Sequence, residues 1–502
     1  MEARRQTRYP APGRPVSRRR TRPMETCMLS PATTLDDAYQ TLSPRPLLAA
    51  DELAAFYCSQ IDDLRGGRVV DRLALGLGRA HAGAPYKALL MGHAGVGKST
   101  ELARLAARVA GQFRVVRLSA GEHLDPISFQ PFDLLLLMAS EVARRTAQPV
   151  GEGGAGEPPG QAFLDDVVDW YARGEEVSTQ RREIGAQAAA GAGPAAGEWW
   201  ARALGFFAQV RGEMKYASVR EEKRVRYRLS RIDDLVQSVN RLLAQCNSLL
   251  REASGHEWLF LFEDFDKAGI SPERTQALFV TYGNVIREVD AHIVFTIPIA
   301  LGYSSQANAL PVPRDRQFVL PDTTVFDQQH RPHAAGRAAV RAVLGARLAP
   351  ELFAAGQAER LVVASGGNLR NLFAMAANAA DGALLRGAAQ IEADDASGAI
   401  RQLRTDYERQ LGESPYDQEI AGDGQRRPIA YESKANRLCS VYRGDAEAKI
   451  PDPVLYALLR ARAVQEFNGE RWFGVHPLVV DLLVQQRRLA PEIGGVVAGG
   501  SE

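Results

Sequence analysis

The 502-residue sequence has only four cysteines, Cys27, Cys58, Cys246 and Cys439, far apart and without a C-x-x-C pair. That spacing excludes the usual thiolate zinc site and a disulfide framework, and it points to reduced thiols in a cytoplasmic protein. No run of about 18 apolar residues occurs, so no membrane span is expected. The longest apolar stretches, LLLLM (134–138) and LFLF (259–262), have the length of core elements. Net charge is nearly absent: 61 Lys and Arg against 60 Asp and Glu leave +1. A general polyanion binder is therefore disfavoured, although a local basic patch remains open. Histidine is also scarce, with 8 in the chain. His330 and His333 lie close together without cysteine or acidic partners, so they read as loop and helix-cap residues and not as metal ligands.

The first residues, MEARRQTRYPAPGRPVSRRRTRP, are basic, proline-bearing and poor in apolar side chains. Burial cannot offset the entropy of ordering such a segment, so residues 1–42 are expected to be a disordered basic tail. No hydrophobic stretch follows Arg18-Arg19-Arg20, which excludes an ordinary export signal. Order is expected to begin near Ser43.

From there the pattern is α/β. YKALLM (86–91) reads as a buried strand, GHAGVGKST follows, and a helix runs over 100–110. FRVVRLSA (113–120) is a second strand and 131–145 a second helix, the order of a parallel α/β domain. Residues 148–197 interrupt it with two low-complexity tracts, read as linkers, around a short polar helix. WWARALGFFAQVRGEMKY (199–216) fits either a helix running into a strand or a hairpin, and 218–250 fits one long amphipathic helix. Strands resume at EWLFLFEDFDK (257–267), HIVFTIPIAL (292–301) and RQFVLPD (316–322). The expected organisation is a core over 43–330 with a segment inserted at about 148–256, a helical lid over 331–412, and a unit over 428–492. That last unit has helices at 431–442 and 452–463, then AVQEFNGERWFGV as a hairpin with Asn468-Gly469 in a type I′ turn, then a closing helix. Helices followed by a hairpin make it winged-helix-like.

Chemistry concentrates in one motif. Gly92, His93, Ala94, Gly95, Val96, Gly97, Lys98 and Ser99 fill G-x-x-x-x-G-K-[ST], with Thr100 next. Glycines let backbone N–H groups curl around a β-phosphate, Lys98 reaches phosphate oxygens, Ser99 offers a hydroxyl to magnesium, and the following helix presents its positive end. A strand before and a helix after make this a P-loop for a nucleoside triphosphate, with ATP and Mg2+ as the expected cofactors. The second element is Glu263-Asp264, with Asp266 two residues on. In P-loop ATPases a neighbouring strand ends in an acid that holds magnesium, and a following acid orients the attacking water. Either Glu263 is the metal-side acid and Asp264 the base, or the register slips by one. Ser99, Glu263 and Asp264 are the candidate metal residues.

With these motifs the chain resembles the AAA+ ATPases, and within them the STAND and origin-recognition-like branches, over roughly residues 64–411 apart from the insert. The resemblance implies a polar sensor at Thr296, a lid arginine at Arg370 in SGGNLRNL, and an inter-subunit arginine finger at Arg316, with Arg314 as rival. It also implies a homo-oligomer, an effector protein as partner, and a nucleotide-driven switch with ATPase activity in which lid closure follows nucleotide state. The alternative is a DNA-binding ATPase of origin-recognition or loader type using the winged helix. There Arg460, Arg462 and Arg471 would meet phosphates, diluted by Glu466, Glu470 and Asp481.

Overall fold

The computed structural model describes residues 29–66, 68–80, 84–148, 156–173, 196–216, 222–267, 269–415, 417–420 and 424–490. Three helices precede the sheet: α1 (Leu35–Thr41), α2 (Ala50–Phe56) and α3 (Val69–Gly78). The first corrects the expected tail. Residues 1–28 lie outside the described residues, but 29–42 are folded. The Thr34 side chain caps α1 by accepting from Asp37 N. Ala32, Leu35, Ala38 and Leu42 are buried in a cluster shared with the lid, and Ala32 pairs with Leu348. A few apolar residues at helical spacing outweigh a polar average.

The sheet is built on β1 (Lys87–Gly92), buried at every position. Its side chains serve two cores: Leu89 and Met91 enter an aromatic-rich cluster on one face, Ala88 and Leu90 an aliphatic cluster on the other. A strand covered on both faces reads as an unbroken apolar run. After α4 (Lys98–Val109) come β2 (Phe113–Ser119) and α5 (Pro131–Thr146). Then follow β3 (Glu257–Glu263), β4 (His292–Pro298) and β5 (Gln317–Val319). All five strands are parallel, in the order β2-β3-β4-β1-β5. The loop after β1 therefore opens at the carboxyl end of the sheet, where α/β folds place ligands.

The insert forms α6 (Gln161–Arg173), α7 (Ala196–Tyr216), α8 (Glu222–Ser230) and α9 (Ile232–Ser254). Most of the two low-complexity tracts lies outside the described residues. The helix between them is not polar: Leu164, Val167, Trp170 and Tyr171 are buried. Residues 199–216 are helical throughout, which overturns both the strand and the hairpin alternatives. The long helix is broken at Arg231. These helices cover α5, which explains why 14 of its 16 residues are buried.

The lid consists of α10 (Ala334–Gly345), α11 (Gln357–Ala364), α12 (Leu369–Leu385) and α13 (Ala393–Leu411). The linker beyond it contains a small hairpin, β6 (Gln418–Ile420) with β7 (Arg426–Pro428). The last unit runs α14 (Tyr431–Arg443), α15 (Pro453–Arg460), β8 (Val464–Glu466), β9 (Phe473–Val475) and α16 (Pro477–Gln485). This is the winged-helix-like order expected. The turn differs: Gly469 and Arg471 have positive φ while Asn468 does not, and a type I′ turn needs both central residues there. Instead the Asn468 side chain accepts from Glu470 N at 2.8 Å and Trp472 N at 3.1 Å, closing a longer loop. Lid and C-terminal unit share one hydrophobic core, with Leu372, Ala376, Leu455, Leu458 and Leu478 in the same cluster.

Candidate nucleotide-binding site

The P-loop leaves β1 at Gly92 and enters α4 through two glycines with positive φ, Gly95 at 91° and Gly97 at 108°. Side chains are excluded from Gly95 for a second reason: a Cβ there would lie 2.4 Å from Arg370 Cβ and 2.8 Å from Asn368 Oδ1. The start of α12 thus sits directly on the loop, with Arg370 N donating to Gly95 O at 3.3 Å and Asn368 Nδ2 to Ala94 O at 3.2 Å.

Lys98 is buried, and its ammonium donates to Gly92 O and His93 O at 2.8 Å each. Its third partner is Asp266 Oδ2 at 2.8 Å. Asp264 takes a left-handed backbone, φ 77°, which breaks the alternation of β3 and turns the next residues toward the loop. Its carboxylate meets Ser119 Oγ at 2.5 Å and Lys267 Nζ at 2.9 Å. Thr296, buried on β4, accepts from Asp264 N at 3.0 Å and so pins that kink. Glu263 faces elsewhere: its Oε1 accepts from Arg117 Nε at 2.8 Å, and Arg117 also donates to Ser99 O at 3.1 Å.

A cavity of about 360 Å³ opens beside the loop. Part of its wall is polar and charged, with Gly95, Lys98, Ser99, Thr100, Asp264, Asp266 and Arg370; the rest includes an apolar end, with Pro46, Leu47, Phe56, Ile61, Val343 and Phe373. Arg347 closes the apolar end, its guanidinium 4.5 Å from the Phe56 ring centroid and 5.0 Å from that of Phe373. Burial pushes its pKa down to about 10, and Arg370 is lowered for the same reason, with Arg462 adding repulsion.

Of the residues singled out from sequence, the structure brings Gly95, Gly97, Lys98, Ser99, Thr100, Asp264 and Arg370 to one cavity, with Thr296 directly behind Asp264. Glu263 does not line it and is tied to Arg117. Arg316 lies before β5, at the amino-terminal edge of the sheet, with its guanidinium 4.9 Å from the Tyr86 ring. His93 and Val96 are buried beneath the loop; burial pushes His93 down to about 4, so it is neutral. Sequence reading left Arg65, Arg347 and Phe373 unassigned, because nothing local marks them as neighbours of the loop. Asp266 was visible as a third acid, and its pairing with Lys98 gives it a place.

The donor set suits a magnesium triphosphate: Lys98 and Arg370 for phosphate oxygens, Ser99 with Asp264 or Asp266 for the metal. The fold is that of a P-loop NTPase. No family model matches the sequence, and no curated protein does. Among solved structures the chain is similar to the ORC2 protein of Aeropyrum pernix, 14% identical over 83% of this chain and 93% of that one, TM-score 0.34. Cdc6p of Pyrobaculum aerophilum is 13% identical over 92% and 100%, TM-score 0.35. A Walker-type ATPase of Pyrococcus abyssi is 12% identical over 88% and 99%, TM-score 0.37. These superpositions are loose, and the fold assignment rests on the sheet order and the loop. No described helix is long and apolar enough to cross a membrane.

Proposed function

We propose that the chain binds ATP with magnesium in this cavity, hydrolyses it slowly, and uses nucleotide state to set how firmly the lid and the C-terminal unit hold the core. ATP in particular follows from the resemblance to AAA+ ATPases. The observation that carries the reading is a buried polar cluster around Asp322, just after β5. Asp322 accepts from Asn368 Nδ2 of the lid and Gln465 Nε2 of the C-terminal unit, each at 2.9 Å. Asn368 also holds the P-loop carbonyl of Ala94. Gln465 Nε2 donates further to Gly366 O at 3.1 Å, and His476 Nε2 meets Ser365 O at 3.2 Å. Loop, lid and C-terminal unit thus share one hydrogen-bond network, the kind of two-state element on which a γ-phosphate can act.

In this reading the triphosphate takes Lys98 from Asp266, magnesium is held by Ser99 with Asp264 or Asp266, and Thr296 fixes the Asp264 backbone. Arg370 meets the γ-phosphate. Arg316 reaches a nucleotide only in a neighbouring copy, so that role needs an oligomer, and an effector protein would read the state. The DNA-binding alternative draws less support. Arg460 is ion-paired with Asp417, Arg462 donates to Asn371 Oδ1 at 3.4 Å, and Arg471 bonds the Lys449 carbonyl, which leaves little free basic surface there.

Gln465→Ala tests the proposal. It removes two hydrogen bonds that tie the C-terminal unit to core and lid, so basal ATP hydrolysis should rise severalfold while the chain stays folded. Unchanged hydrolysis in a folded variant would mean that the cluster does not restrain the nucleotide site.

A further inference from the structure

Arg65 lies between α2 and α3 and is 3% exposed. Its Nε donates to Thr323 Oγ1 at 3.0 Å, but Nη2 is buried with no hydrogen-bond partner. The nearest acids are committed elsewhere. Glu101 is held by Arg104 at 2.6 Å and Tyr57 at 2.9 Å, and Asp322 by Asn368 and Gln465. Burial lowers the guanidinium's pKa, yet arginine keeps its charge in proteins. Acids surround the guanidinium without pairing with it directly, and a buried Nη2 left without a partner is costly, a cost removed when an anion reaches it.

Arg65 is also part of the wall of the nucleotide cavity, and a Cβ built on Gly97 would lie 3.9 Å from its Nη1. The guanidinium is therefore aimed at the turn of the P-loop that opens α4. Arg370 reaches the loop at Gly95, close to Asp264 and Asp266, whereas Arg65 sits among Glu101, Asp322 and Asp62.

We propose that Arg65 is a third cationic contact of the bound nucleotide, beside Lys98 and Arg370, donating to its α- or β-phosphate, the groups that ATP and ADP share. The proposal rests on reading the cavity as a nucleotide site. Arg65 then marks occupancy regardless of the γ-phosphate, and Arg370 reads the γ-phosphate.

The experiment titrates the full chain with ATP and with ADP, and melts each variant without nucleotide. Arg65→Gln should weaken both nucleotides by the same factor, about tenfold or more, without lowering the unliganded Tm, because a buried cation with an unsatisfied Nη2 has been removed. Arg370→Gln should weaken ATP more than ADP. Unchanged affinities for Arg65→Gln, or a loss confined to ATP, would overturn the proposal, as would a lowered unliganded Tm with affinities intact. Should Arg65→Gln fail to fold, Arg65→Lys keeps a charge but loses the planar fork and should weaken both nucleotides to a smaller, equal degree; unaltered affinities there overturn it too. Lys98→Ala runs alongside: if it binds ATP like the wild type, the nucleotide reading itself fails, independently of Arg65.

Discussion

Lys98 has three N–H donors, and Gly92 O, His93 O and Asp266 Oδ2 take all of them. A triphosphate has to displace at least one, and on the proposed reading Asp266 is the partner that leaves, freed to hold the metal or a water. The three acids should therefore behave differently. Glu263→Gln strips a charge from Arg117 and should cost about 1–3 kcal/mol of stability, with magnesium-dependent ATP affinity nearly unchanged. Asp264→Asn and Asp266→Asn should stay folded and lose turnover by about 10²-fold or more, the range for removing a group that orients the attacking water. Urea melts and steady-state hydrolysis separate the two patterns, and a Glu263 variant that loses metal dependence would select the first of the two registers that the sequence leaves open. The choice between them is not legible in sequence because it hinges on the left-handed Asp264 backbone, a non-glycine conformation that sequence does not announce. The P-loop was legible because each of its positions is constrained by how closely backbone must approach phosphate. Arg65, Arg347 and Phe373 were not, since only the path of the chain brings them to the cavity.

At the level of elements, the sheet was readable from its apolar runs, and the lid and C-terminal helices from their spacing. Compositional averaging misleads at α1 and α6, which read as tail and polar helix although each buries a regular stripe. The β8–β9 hairpin is legible, but its register places Glu466 fully inside, 0% exposed, opposite Phe473 and with its carbonyl accepting from Asp322 N at 3.1 Å. Burial raises this carboxyl to about 7. A folded-state pKa above the unfolded value gives a contribution that is complete below the unfolded pKa and lost as pH rises through about 7, because the buried side chain must then ionise. Glu466→Gln keeps an acceptor for Asn468 N and cannot ionise. It should be more stable than the wild type at pH 8.5, by about 1–3 kcal/mol, and the difference should shrink toward pH 5. Thermal melts at the two pH values check this; a pH-independent difference would place the carboxyl outside the buried hairpin.

Across the whole molecule, the C-terminal unit is not a separate bead. It shares the lid's hydrophobic core and reaches the P-loop through Asp322 and Asn368. Sequence pattern separates these units but does not announce their contact, since polar residues scattered over 322–476 carry no local signature of meeting. Removing the unit would expose its share of that core, so the gentler Gln465→Ala change is the sounder probe of restraint. All of this depends on a nucleotide entering the cavity beside Lys98. The most direct measurement is a titration of the full chain with ATP and magnesium, wild type against Lys98→Ala, followed by fluorescence of a labelled ATP. Saturable binding that Lys98→Ala weakens by about 100-fold or more, the loss of a charge-assisted phosphate contact, is the predicted result. Equal affinities in the two proteins, or no binding by the wild type, would contradict the account.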